Sequence, residues 1–168
     1  MNLVDVHCHI NHKSLKDNIP KILARAEKAG VKAILLSGVN PENNREVLEF
    51  SKKYPLIKAS IGIYPTDALG MEPDETGLPT HKGKINLDTE FKFIEDNLQD
   101  ISAIGEIGMD FHWADKEKTL NEQSKNFRKI IQFAKKVKKP IIIHSRKAEK
   151  ECIDILEQEI PNQEIPVS

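Results

Sequence analysis

Two histidines separated by a single residue stand near the start of the chain, in Asp5-Val6-His7-Cys8-His9. On an extended strand residues i and i+2 face the same side. His7 and His9 therefore project together as a chelating pair suited to a divalent metal ion, and Asp5 shares their face. Cys8 alternates to the opposite face and reads as a packed core thiol. A second group is Gly105-Glu106-Ile107-Gly108-Met109-Asp110-Phe111-His112-Trp113. A carboxylate at the end of an apolar run is costly to bury unless it is paired or bound to a metal. Glu106 is thus either a metal ligand, able to bridge two cations with its two oxygens, or the ion-pair partner of a loop lysine. Gly105 and Gly108 let backbone or ligand approach closely. Asp110 and His112 fall at the rim of the same group, where they could meet a substrate. The third group is Ile143-His144-Ser145-Arg146, again a histidine ending an apolar run, followed by a guanidinium whose planar fork suits phosphate. His12 and His81 sit in loops and read as ordinary polar residues.

Three such groups need a scaffold that brings them together. Short β-branched runs alternate with helical patterns along the whole chain. Strands are expected at 3–8, 31–37, 56–63, 101–107 and 140–144, and helices at 16–29, 41–54, 88–98, 118–138 and 147–159. Asn40 and Pro41 form a cap and first turn for the second helix, and Gly30 ends the first. Such alternation builds right-handed β-α-β units around a parallel sheet, and a continuously apolar strand such as Ile141-Ile142-Ile143 fits a sheet covered on both faces. In that architecture active sites form at the C-terminal strand ends, where all three groups lie. The segment 65–87, rich in Gly, Pro, Asp and Thr, breaks the rhythm and reads as an insertion loop overhanging the site, and 160–168 reads as a polar tail.

Composition narrows the class. With 25 Lys+Arg against 26 Asp+Glu the net charge is −1, with 39% hydrophobic residues and 8 Gly and 9 Pro, which excludes disordered, collagen-like and low-complexity chains. It also argues against a basic protein that coats nucleic acid through surplus lysines. Two cysteines make no disulfide framework. The absence of a signal-like start or a long apolar run makes a cytoplasmic protein without membrane association the expectation. The 168 residues are expected to form a single domain.

Together with Gly62-Ile63-Tyr64-Pro65, the order and spacing of these three groups resemble the TatD family of metal-dependent deoxyribonucleases, part of the amidohydrolase-like superfamily. The resemblance runs from the first strand to about residue 159. It implies an α/β fold of the TIM-barrel type, here an incomplete barrel of about five β/α units. It implies two divalent ions, Mg²⁺ foremost with Zn²⁺ or Mn²⁺ as alternatives, and DNA as the substrate. By that resemblance His7 and His9 bind one ion, Glu106 bridges both and helps activate water, His144 binds the second, and Arg146, Asp110 and His112 meet the substrate phosphate. The near-neutral charge is no obstacle, since bound metals supply positive charge themselves. The family pattern also includes a sixth-strand histidine and an aspartate near the eighth strand, and neither segment falls within these 168 residues. A complete barrel needs about 200 residues at least. The expectation is therefore the N-terminal portion of a longer barrel, a shortened product, or a half completed by another chain, with weak or no activity in isolation. The alternatives are a hydrolase of ester or amide bonds, or a non-catalytic fragment that binds metal or a partner. No lysine occupies the fifth-strand end, where some amidohydrolases carry a carboxylated lysine.

Overall fold

The structure, a computed structural model, describes residues 2–71, 77–161 and 165–168. Five parallel strands, β1 (Leu3–Cys8), β2 (Val31–Ser37), β3 (Ile57–Ile61), β4 (Ile101–Asp110) and β5 (Ile141–Arg146), pair in sequential order. Between and after them run α1 (Ile19–Lys28), α2 (Pro41–Lys53), a single turn α3 (Pro65–Ala68), α4 (Leu87–Asp96), α5 (Lys116–Val137) and α6 (Glu149–Glu159). The result is most of the wall of a TIM-type barrel, as the alternation of elements implies. β1 forms one edge of the sheet, and its outward-facing Val4 and Val6 stay exposed. Among the described residues no helix is long and apolar enough to cross a membrane.

Local chemistry sets the element ends. The Asn40 side chain accepts the Asn43 N–H at 3.0 Å and Pro41 occupies the first turn of α2, so both devices that favour a helix start act together. Asp115 does the same for α5, accepting from Glu117 and Lys118. α5 then buries Phe127, Ile130, Ile131 and Ala134 along one face against the sheet. β4 lies at the centre of the packing: nine of its ten residues are buried, all but Ser102.

Two segments differ from the sequence expectation. The stretch expected as an insertion loop, 65–87, opens with α3 and delivers Leu87 into α4, and residues 72–76 of it lie outside the described residues. The expected tail is not free of the sheet. Ile141 N–H donates to Pro166 O at 2.9 Å, Ile143 N–H to Ser168 O at 2.7 Å and Ser168 N–H to Ile141 O at 3.0 Å, so residues 166–168 lie parallel to β5 in the place of a sixth strand. Unpaired strand amides are costly when buried, and this segment satisfies those of β5.

Candidate metal centre

The two strands that carry the key ligands are both irregular beside them. Between Asp5 and Cys8, β1 advances three residues while β2 advances two, and between Ile104 and Ile107, β4 does the same against β5. An extra residue of this kind bends a strand and re-aims a side chain. Here the bulge of β4 holds Gly105 and Glu106. At Gly108, where φ is +146°, a side-chain carbon would stand 2.0 Å from the His144 carbonyl oxygen, so only glycine lets β4 and β5 close up beside the site.

His7, His9 and Glu106 meet. Their Nε2 and Oε2 atoms are 3.6 Å apart for His7 and Glu106, and 3.4 Å apart for His9 and Glu106. One ligand atom from each of the three lies within 4.8 Å of the others. His9 Nδ1 is 3.1 Å from Ser37 O, and a carbonyl can only accept, so Nδ1 carries a hydrogen and Nε2 is the nitrogen turned toward Glu106. Ser37 Oγ reaches His7 Nδ1 at 3.3 Å, so one residue at the end of β2 orients both rings. Lone pairs converging on one point repel unless a cation or proton lies between them. For a metal bound at about 2.0–2.2 Å by nitrogen and oxygen, neighbouring ligand atoms stand roughly 3–3.5 Å apart, close to the separations observed. The donor set and its spacing fit a divalent ion.

The other oxygen of Glu106 faces away from this pair. His144 Nδ1 contacts Glu106 Oε1 at 2.8 Å, and His144 Nε2 contacts Asp110 Oδ2 at 3.0 Å. Burial works against charge on all three groups, yet the mutual contacts prevail. The Glu106 carboxyl, raised by burial, is pulled down to about 2 by His144 and His9. His144 is raised because its two carboxylate neighbours outweigh its desolvation. Asp110 is likewise lowered against its burial, by the Trp113 backbone N–H, the Tyr64 hydroxyl and His144. Among the described residues no lysine takes part, so the loop-lysine alternative for Glu106 gives way to a ring of histidines.

Each expected site residue has a definite place. His7, His9, Glu106 and His144 come together. Asp110 joins them from behind rather than from the substrate side: it is fully buried, with Oδ1 accepting the His112 and Trp113 N–H groups at 2.8 and 2.9 Å and Oδ2 accepting the Tyr64 hydroxyl at 2.8 Å. A carboxylate enclosed in this way orients His144 and is not free to meet a phosphate. Arg146 and His112 are exposed at the rim. Asp5 does not join the cluster and accepts the backbone N–H of His7 at 3.2 Å. His12 bonds Ser14 Oγ at 2.7 Å, His81 pairs with Glu42, and burial raises the Cys8 thiol to about 11, so none of the three is drawn into the centre.

Three contributors escape the sequence reading. Tyr64 donates to Asp110 and lies 3.1 Å from His144 Nε2. Ser37 sets both β1 histidines. Gln123, buried on α5, accepts the Asp110 N–H at 2.8 Å and donates to the Asp110 carbonyl at 2.9 Å. A polar residue ending an apolar strand was the signal for Glu106, and it applies equally to Ser37. Gln123 offers no such signal, being a polar residue on a helix like many others.

Comparison with known proteins adds a family. The family model described as TatD related DNase matches residues 4–167. An uncharacterized metal-dependent hydrolase of Bacillus subtilis, YabD, is 30% identical over 161 residues, covering 94% of this chain and 56% of that protein. The human deoxyribonuclease TATDN3 is 28% identical, covering 95% of this chain and 57% of that protein. The crystal structure of YJJV, a TatD homolog from Escherichia coli, superposes with a TM-score of 0.76 at 25% identity, over 94% of this chain and 56% of that one. The chain thus spans somewhat over half the length of the relatives it matches.

Proposed function

Given that the chain belongs to the TatD-related DNase family of metal-dependent hydrolases, we propose that it forms the metal-holding wall of a site that hydrolyses DNA phosphodiester bonds. The observation that carries the reading is the convergence of His7, His9 and Glu106 from strands three positions apart in the sheet. The deoxyribonuclease name of a relative supports DNA as the substrate. In this reading His7, His9 and Glu106 hold one divalent ion, and Glu106 and His144 hold a second. Two imidazoles suit Zn²⁺ and the carboxylate suits Mn²⁺ or Mg²⁺, and Mg²⁺ is the ion expected from the resemblance. When bound, such ions supply positive charge to the phosphoryl oxygens and ease the ionisation of water.

The chain's own groups do the positioning. Ser37 and Asp110 orient the histidine rings, Glu106 stays ionised across the neutral range because its histidine neighbours hold its proton affinity down, and Arg146 projects its guanidinium from the end of β5 toward an incoming phosphate. The test combines metal titration with a hydrolysis assay on single-stranded DNA, using Mg²⁺, Mn²⁺ and Zn²⁺ in turn. The chain should bind a divalent ion and release nucleotides slowly, and Glu106→Ala and His144→Ala should abolish release. Metal bound tightly with no release of nucleotides under any of the three ions refutes the DNA reading for this chain.

A further inference from the structure

Trp113 stands at the rim of the site with no role assigned to it. Its residue is 50% exposed while its neighbours Phe111 and Ala114 are buried, so the chain turns this one large ring outward and tucks the flanking apolar residues in. Its position is nevertheless anchored: the Trp113 N–H donates to Asp110 Oδ1, the carboxylate whose other oxygen contacts His144. The Arg146 guanidinium carbon lies 5.3 Å from the indole centroid, and the His112 ring meets the indole edge-on at 4.5 Å. Among the described residues no carboxylate pairs with Arg146. The ends of β4 and β5 therefore present a half-exposed indole with a guanidinium over its ring, one carboxylate removed from Glu106 and His144.

We infer that Trp113 is a stacking platform for an unpaired nucleobase, with Arg146 taking the phosphate beside that base. The inference rests on the reading of the site as a DNA hydrolase and gives its substrate a form: a strand whose base is free to leave a duplex. Every base has a π face, so stacking on an indole tolerates sequence, and it is the interaction by which single-stranded nucleic acid is held without base-edge readout. An adjacent guanidinium adds cation–π attraction to the same ring. A duplex end offers its base already stacked on one side, so an unpaired terminus gains most from the platform.

Trp113 is the chain's sole tryptophan, so its emission reports this ring alone. The chain is titrated with a twelve-residue oligothymidylate in chelator at low salt, where hydrolysis does not intervene, and saturable quenching is expected. A twelve-residue strand of abasic sites keeps the phosphates without the rings. It should bind about five- to a hundredfold more weakly and leave the emission unchanged. Trp113→Ala should lower affinity for oligothymidylate, read by anisotropy of a labelled strand, to that of the abasic strand. Trp113→Phe, which retains an aromatic face, should recover most of the loss. Equal affinity for the two strands, or Trp113→Ala binding as the parent does, overturns the inference. Quenching with no turnover after metal is restored supports the platform and counts against the hydrolytic reading alone.

Discussion

Gly62, a residue that touches no metal, should control the metal site, and Gly62→Ala is the substitution that exposes this. A side-chain carbon at Gly62 would stand 2.1 Å from Glu106 N, 2.2 Å from Gly105 C and 2.5 Å from Glu106 O. Carbon and its neighbours rest at about 3.5–4 Å, so the two backbones must part by roughly 1 Å or more. No rotamer relieves the clash, because every atom involved is main chain. Neither side can yield cheaply: Gly62 is held by Asn44, which accepts its N–H at 3.2 Å and donates to its carbonyl at 2.8 Å, and the Glu106 N–H donates to Gly38 O at 3.0 Å. Overpacking of this kind costs about 1–3 kcal/mol or more. Ligand distances in a metal site tolerate about 0.2 Å, and displacement of supporting groups costs about 10- to 100-fold in metal affinity. The expected result is a folded chain that unfolds at lower urea and binds Mn²⁺ or Zn²⁺ at least tenfold more weakly by calorimetric titration. Gly83→Ala is the control. Nothing lies within 4 Å of its added carbon, though φ is +79°, so it should cost about 1–2 kcal/mol of strain and leave metal affinity alone. Parental metal affinity in Gly62→Ala would refute the account of how Glu106 is placed.

Two further outcomes are expected. Gln123→Leu strips partners from the buried N–H and carbonyl of Asp110, and at about 1–3 kcal/mol for each orphaned group it should destabilise the chain by about 2–6 kcal/mol in urea melts. Burial raises the Asp67 carboxyl to about 6 despite the hydrogen bond from Asn40, against an ordinary value of 3.8. The folded chain therefore holds that proton more tightly than the unfolded one. Its contribution is fully present below about pH 4 and is lost as the pH rises through about 6, an effect on the order of 3 kcal/mol. Asp67→Asn should abolish this component, so that the stability difference between pH 4 and pH 8 shifts by that amount relative to the parent. Identical pH profiles for the two would remove Asp67 as the source.

What the sequence made legible follows from which physical signals are local. β1 and β2 begin and end where alternation and apolar runs place them, at 3–8 and 31–37, because strand burial writes itself into consecutive residues. The one-turn helix at Pro65–Ala68 is too short for a 3.6-residue period to show, and it hides among Gly, Pro, Asp and Thr. The pairing of Pro166, Val167 and Ser168 with β5 is invisible for a different reason: a proline and a serine in the last four residues resemble any loop, and only the open edge of β5 gives them a partner. At the site, His7, His9, Glu106 and His144 stood out as polar residues where an apolar strand ends. Tyr64 acts on His144 across eighty positions of chain and Gln123 on Asp110 across thirteen. Contacts of that kind are made by topology and leave no periodic trace.

Topology also explains how the centre forms at all. β1 and β4 are separated by β2 and β3, which across a flat sheet amounts to roughly 14 Å at about 4.8 Å per strand. Side chains stand nearly perpendicular to their sheet, so on a flat sheet His7 and Glu106 would point past each other. They are 3.6 Å apart. The sheet must therefore curl until the inward normals of β1, β4 and β5 converge. The irregular registers beside His7 and Glu106, and the glycines that let β3, β4 and β5 press together, are the local devices that accommodate that curl. The motif residues carry the chemistry, but the spacing between them is a property of sheet curvature. That is why a methyl group at Gly62, just past the end of a strand that contributes no ligand, should act on the candidate metal site.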